Sequence, residues 1–228
     1  MVERREQHHA LREHEKRGLR GDLFGFVLLM ASLLAIAWQH FGMNRTFVIE
    51  PGDSHTVWVE NDSGEGGNSI VSLSDVDGLR MDCQIRTAIS FPHCNLLIGL
   101  GDPIDTGVDL SGFSSLYLEL SQESTIRDSV RVSLNHFFRD AEQPENALPF
   151  KAHQSVFNAS DQRVGYELQL ADFYVPDWWV YANNLPAKAS TSDLSNVHHL
   201  VFSPGDMADE RRTSITLHRA EFRGKWLT

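Results

Sequence analysis

Arg131 and Asn135 stand four residues apart in SVRVSLNHFF (129–138), where Val130, Val132 and Leu134 alternate with Arg131, Ser133 and Asn135. In a strand, a two-residue period sends the three aliphatic side chains to one face and the guanidinium and amide to the other. A guanidinium and an amide on one face can bond hydroxyls or a carboxylate directionally. Phe137 continues that polar face. The stretch YVPDWWVY (174–181) adds Trp178 and Trp179, which point to opposite sides if it is a strand. One indole would then pack in the core while the other offers a flat stacking surface. The expected ligand surface therefore holds Arg131, Asn135 and Phe137, with Trp178 or Trp179 at its edge. The bland alternative is a solvated outer face on which Arg131 pairs with an acid such as Glu119.

Other reactive groups are scattered. His198 and His199 are adjacent, so in a strand they face opposite ways and do not ligate one metal easily. Asp206, Asp209 and Glu210 cluster in FSPGDMADERR (202–212), as a calcium site would require, but carbonyl ligands are not legible. No G-x-S-x-G elbow, phosphate loop, H-E-x-x-H or dinucleotide fingerprint occurs. No catalytic residue, metal site or cofactor is expected. Sequons start at Asn44, Asn61 and Asn158 and matter only in a glycosylating cell.

Charge and hydropathy divide the chain. The net charge is −11, which disfavours nucleic acid as a partner. Residues 1–38 carry six basic side chains against five acidic ones, so they sum to +1 and the remainder to −12. Residues 23–38, LFGFVLLMASLLAIAW, run for sixteen positions without a charge. A bilayer span needs about 20 residues, and Gln39 to Gly42 extend the run, with Trp38 and Phe41 at interfacial depth. The expected organisation is a cytoplasmic tail (1–21), a transmembrane helix (22–42) and an exported domain (43–228). Basic residues before the span put the N-terminus in the cytoplasm. Ala35-Ile36-Ala37 also fits a signal-peptidase site, but the long, acid-containing leader favours an uncleaved anchor. Both alternatives export residues 43–228.

Cys83 and Cys94 lie in that exported part, where an even count favours a disulfide. They flank a turn containing Pro92, as if facing each other across a hairpin. Alternating segments recur at TFVIE (46–50), TVWVE (56–60), SIVSLSD, the two cysteine strands, 107–120, 129–138, 164–173, 197–203 and 213–222. About ten short strands without a long helical period predict an all-β jelly-roll sandwich. Leu116, Leu118, Leu120, Val130, Val132 and Leu134 are expected to be core, on one face of neighbouring strands.

Several segments together resemble a known family. CQIRTAISFPHCNLLIGLG, GVDLSGFSSLYLELS, VRVSLNHF, LPFKAHQSVFN, ADFYVPDWWV and ITLHRAEFRGKWLT occur in order over residues 80–228. They resemble the extracytoplasmic jelly-roll, carbohydrate-binding-module-like sensor domain of bacterial membrane-bound diguanylate cyclases (GGDEF proteins) and related sensor kinases. In such proteins a second span follows the terminal Gly-x-Trp and leads to a cytoplasmic output domain, which this sequence does not contain. The resemblance implies a periplasmic sensor module, single-pass in a bacterial inner membrane, that binds a small molecule or glycan and relays occupancy through a homodimer or a signalling partner. The alternative function is a structural or assembly partner of a membrane complex, which a large exposed apolar patch would mark. A glycan-active enzyme would instead show a pair of carboxylates.

Overall fold

A computed structural model describes residues 24–101, 106–125, 129–138, 150–205 and 209–225. The chain forms two units, residues 1–44 and 45–228. In the first, residues 24–37 are α-helical (α1) and continue as a π-helical turn, Trp38–Gly42. Its apolar side chains point outward all round, with Phe24, Leu34 and Trp38 each 66% exposed. Among the described residues, no helix is long and apolar enough to cross a membrane.

Among the described residues, the second unit is a sandwich of eleven strands. They are β1 (Asn44–Ile49), β2 (Val57–Asn61), β3 (Ile70–Ser74), β4 (Leu79–Ile85), β5 (Cys94–Gly99), β6 (Phe113–Ser124), β7 (Ser129–Phe137), β8 (Phe150–Asn158), β9 (Val164–Gln169), β10 (Val197–Pro204) and β11 (Arg211–Lys225). The pairing is nested. β4 pairs with β11, β5 with β10, β6 with β9 and β7 with β8, all antiparallel. Winding that long hairpin onto itself yields β4-β11-β6-β9 facing β5-β10-β7-β8, which is the jelly-roll order. β3 extends the first sheet beyond β4 and β1 pairs with β11, making six strands; β2 extends the second beyond β5, making five. These are sheets A and B below.

Two-residue alternation builds the core. On β4, Leu79, Met81, Cys83 and Ile85 point inward while Arg80, Asp82 and Gln84 point out. Leu116, Leu118 and Leu120 of β6 and Val130, Val132 and Leu134 of β7 are all 0% exposed, as expected. They do not sit on neighbouring strands, however. β6 lies in sheet A and β7 in sheet B, so the two rows meet across the interior. A bulge in β11 at His218 absorbs one residue, which keeps both Leu217 and Ala220 facing inward.

Cys83 and Cys94 are bonded, with their Cα atoms 6.2 Å apart. The hairpin expectation was wrong in its geometry. β4 belongs to sheet A and β5 to sheet B, so the bond staples the two sheets through the core rather than bridging a ladder.

Two elements escape the alternation rule. β8 reads as irregular because polar side chains occupy its inward positions. The register sets Lys151 beside His136, and His153 beside Leu134, facing the interior. The stretch around Trp178 and Trp179 is not a strand but a short helix, α2 (Asp177–Ala182), entered through Pro176. Pro176 fixes φ at the entry and lacks an N–H, which a first helical turn tolerates.

Residues 170–196 connect β9 of sheet A to β10 of sheet B and pack against β8. Trp179 Nε1 donates to the Phe150 carbonyl at 2.7 Å, and Lys151 Nζ donates to the Thr191 carbonyl. His153 is completely buried. Its Nδ1 lies 3.2 Å from the Leu134 carbonyl, and its Nε2 accepts the Asp193 N–H at 3.0 Å. These partners define one neutral tautomer, with the proton on Nδ1. His136 Nδ1 lies 3.7 Å from Asp193 Oδ1 in the same cluster.

Two expectations follow from this interior. The disulfide closes a short loop, eleven positions apart in sequence, and should contribute about 3 kcal/mol through the unfolded chain. Urea denaturation with and without reductant should show a lower midpoint after reduction; equal midpoints would contradict it. Burial pushes the His153 pKa down to about 4, chiefly by desolvation. The unfolded imidazole titrates near 6.5, so the folded state binds fewer protons between those values. Stability should therefore hold above pH 6.5 and fall as pH drops toward 4, by roughly 3 kcal/mol. His153→Asn keeps a donor for Leu134 and should flatten that slope; identical slopes would assign the loss to other groups.

Candidate functional site

The sandwich presents two outer faces of opposite character. On sheet A, the outward residues form a lattice of ion pairs. Arg80 Nε lies 2.9 Å from Asp82 and its fork grips Glu123 at 3.1 and 3.2 Å. Arg163 pairs with Glu119 at 2.7 Å, Arg219 with Glu50 and Glu221, and Arg223 with Glu221 and Glu167. Arg163 holds the Glu119 carboxyl below the usual range, and Arg80 does the same to Glu123. Arg223 also lies 4.2 Å over the Tyr117 ring. Gly165 leaves room for that ring, since a Cβ there would meet the Tyr117 hydroxyl at 2.5 Å.

The outward face of sheet B carries few charges and many rings. Its ladder registers place residues in transverse rows. One row runs Gln154, Ser133, Val201, Leu97 and Trp58 across β8, β7, β10, β5 and β2. Tyr174 extends it, because its backbone exchanges hydrogen bonds with Gln154 beyond β8 at 2.8 and 3.1 Å. Leu97 and Val201 are each 5% exposed but stand outside the interior cluster. They form a low apolar floor between Tyr174, 51% exposed, and the half-buried Trp58. Polar neighbours fix both end rings. The Trp58 indole donates to Glu60 at 2.8 Å, and the Gln154 amide donates to the Tyr174 hydroxyl at 2.9 Å.

A second row is built around Phe137. Its ring stacks on His198 at 4.8 Å, meets His199 edge-on at 5.1 Å and lies 5.7 Å from Phe150. Trp58 touches His199 from the far side at 5.0 Å, across the position of Gly99. The expectation that His198 and His199 face opposite ways fails here. A bulge between Val197 and His199 breaks the alternation, so both flank the same phenyl ring. Burial first, then His198, holds His199 below its ordinary pKa.

The expected site residues land as follows. Arg131, Asn135 and Phe137 share this outer face of β7, opposite Val130, Val132 and Leu134. Arg131 does not pair with Glu119; its Nη2 donates to the Gly205 carbonyl at 2.7 Å. Asn135 is 9% exposed, low in the floor beside His199. Trp178 is 49% exposed. Trp179, at 1%, is closed to any ligand, because α2 turns it inward onto the Phe150 carbonyl. Trp58 was legible in TVWVE, where Val57 and Val59 mark the opposite side. Tyr174 carried no such signal, since its place depends on a bridge to β8.

Among the described strand residues, Glu60 is the single carboxylate on this face, and it is engaged by Trp58. No group of three His, Cys, Asp or Glu residues able to hold a metal occurs among the described residues. Asp206, one of the three acids considered for calcium, lies outside them, as does the terminal Trp226. Asn61 is occupied locally, donating to the Ser69 carbonyl and capping Ser63.

No protein-family model matches the sequence, and no curated protein matches it. Among solved structures, the chain is similar to the family 30 carbohydrate-binding module of a cellulosomal cellulase of Clostridium thermocellum. The TM-score is 0.47 at 16% identity, covering 76% of this chain and 96% of that one. The family 11 module from the same organism, in complex with a β-1,3-1,4-mixed-linked tetrasaccharide, gives 0.47 at 11% identity, covering 80% and 89%. A low-affinity xylan-binding module from Roseburia intestinalis gives 0.40 at 9% identity, covering 79% and 96%.

Proposed function

We propose that the outer face of sheet B binds a glycan chain and that the sandwich is the ligand-binding module of a membrane-anchored receptor. The observation that carries this is the row from Trp58 to Tyr174. Two held aromatic rings end a nearly uncharged floor of small polar and aliphatic side chains. At about 4.8 Å per strand, the five intervals from β2 to the Tyr174 segment span about 24 Å, enough for several sugar rings. Sugars present apolar C–H faces to aromatic rings and hydroxyls to amides. Asn135, Ser133 and Gln154 supply hydrogen-bonding groups between the rings, and Arg131 and Phe137 border them. Trp178 is exposed on the neighbouring helix and belongs to the same proposal.

The anchor is the second part. α1, with fourteen residues, is about 21 Å long at 1.5 Å per residue, short of a hydrocarbon core of about 30 Å. The proposed span, 22–42, adds the π-helical turn and the two residues before α1, which lie outside the described ones. A helix with apolar side chains on every side is solvated best by lipid. Basic residues before it orient the N-terminus toward the cytoplasm and the sandwich toward the periplasm of a bacterial inner membrane. Relaying occupancy requires the ligand to favour one of two states, and the proposed relay works through a second copy or a partner chain.

Titration of the chain with soluble oligosaccharides chosen by an array screen tests the binding face. Trp58→Ala and Tyr174→Ala should each weaken binding by about 3- to 10-fold, the scale of one aromatic contact. Unchanged affinity in the folded double variant, or no glycan bound by the wild type, would refute it. The anchor is tested by alkaline carbonate extraction of membranes and protease access from the periplasm. The chain should stay in the pellet with its sandwich digestible from outside; release by carbonate would remove the anchor.

A further inference from the structure

The ion-pair lattice on sheet A stops at one corner. There, two ladder rungs, Ile70–Gln84–Arg212 and Ser72–Asp82–Ser214, surround a hollow of about 230 Å³. Asp82 is already spent, on Arg80 Nε at 2.9 Å and the Ser214 hydroxyl at 2.5 Å. Arg80 in turn neutralises Glu123 beside it. Among the described residues, the side chains of Arg212, Gln84 and Ser72 enter no hydrogen bond or ion pair. Among the described strands of this sheet, the other outward arginines, Arg80, Arg219 and Arg223, are all paired. Each unspent group can donate: the Arg212 guanidinium fork, which only donates, and the Gln84 amide and Ser72 hydroxyl, which can also accept. Ile70, 49% exposed, adds an apolar wall at the edge strand.

Donors converging beside a satisfied acid call for an anionic acceptor, and a planar fork fits a carboxylate in two-point fashion. The volume is below the roughly 300–1,000 Å³ of sites that enclose drug-sized ligands, so the occupant is one small group. We propose that this hollow binds a small carboxylate in the form of a uronic acid, its carboxylate on Arg212, its hydroxyls on Gln84 and Ser72, and its ring against Ile70. The site lies on the opposite sheet from the glycan face and stands independently of it.

Isothermal titration of the full chain in detergent, with galacturonate, acetate and glucose at matched ionic strength, tests this. Galacturonate should bind and glucose should not. Arg212→Ala should weaken galacturonate about tenfold or more, the scale of a lost charged hydrogen bond. Arg212→Lys should recover part of that loss, keeping charge without the fork. Arg212 is exposed, so both variants should melt like the wild type. Acetate binding weaker than galacturonate, with the same dependence on Arg212, supports the ring contact. Acetate binding equally tightly overturns the uronic-acid assignment. Absent galacturonate binding, or binding unchanged in Arg212→Ala, overturns the site.

Discussion

The interior row of β6 and the interior row of β7 meet face to face, and the rest of the sandwich depends on that contact. Leu116, Leu118 and Leu120 from one sheet and Val130, Val132 and Leu134 from the other lie in one buried cluster between the sheets. Burial of each such side chain is worth about 1.5–3 kcal/mol relative to exposure. Once those rows are inside, the two-residue period leaves no freedom for their neighbours. Tyr117 and Glu119 must face out from sheet A, and Arg131, Ser133 and Asn135 from sheet B. A slip of one residue would bury an arginine and expose three aliphatic side chains. The disulfide adds a covalent link between the same two sheets at the β4 and β5 end.

The two outer faces solve different problems with the same geometry. On sheet A, charges of both signs alternate across strands and neutralise one another, so that face is solvated and largely closed to a large ligand. Exposed pairs of this kind contribute little stability each; their consequence is that few groups remain unspent. On sheet B the corresponding positions hold rings, amides and small aliphatics. Leu97 and Val201 lie on an outer face yet are nearly covered, and the rings around them are each held by a partner. Rings fixed before a ligand arrives lose less freedom on binding, which suits the surface to recognition.

Residues 170–196 join these parts. They pass from sheet A to sheet B and pack against β8 through Trp179, Thr191 and Asp193. They also deliver Tyr174 to the end of the aromatic row. The polar interior of β8 makes that packing possible. Lys151 and His153 reach backbone groups of the connection, so an inward-facing strand of mixed polarity is matched by carbonyl and amide partners instead of by aliphatic side chains.

What the sequence determined alone is what local periodicity can carry. Alternation in 113–137 specified the core rows and the outward face of β7, the even cysteine count pointed to the bond, and the uncharged run at 23–38 specified an apolar helix. Tertiary structure decided whatever depends on partners distant in the chain. Nothing local places β4 and β5 in different sheets, so the disulfide reads as a hairpin bridge until the nested pairing is known. β8 is a strand only because partners elsewhere satisfy its inward polar groups. Trp179 is core because α2 turns it onto the Phe150 carbonyl, and Tyr174 joins the candidate site because a bridge to Gln154 carries it there. Hydrophobic alternation is written within a few residues of each position, whereas the identity of a facing strand is set by pairing that spans the whole chain.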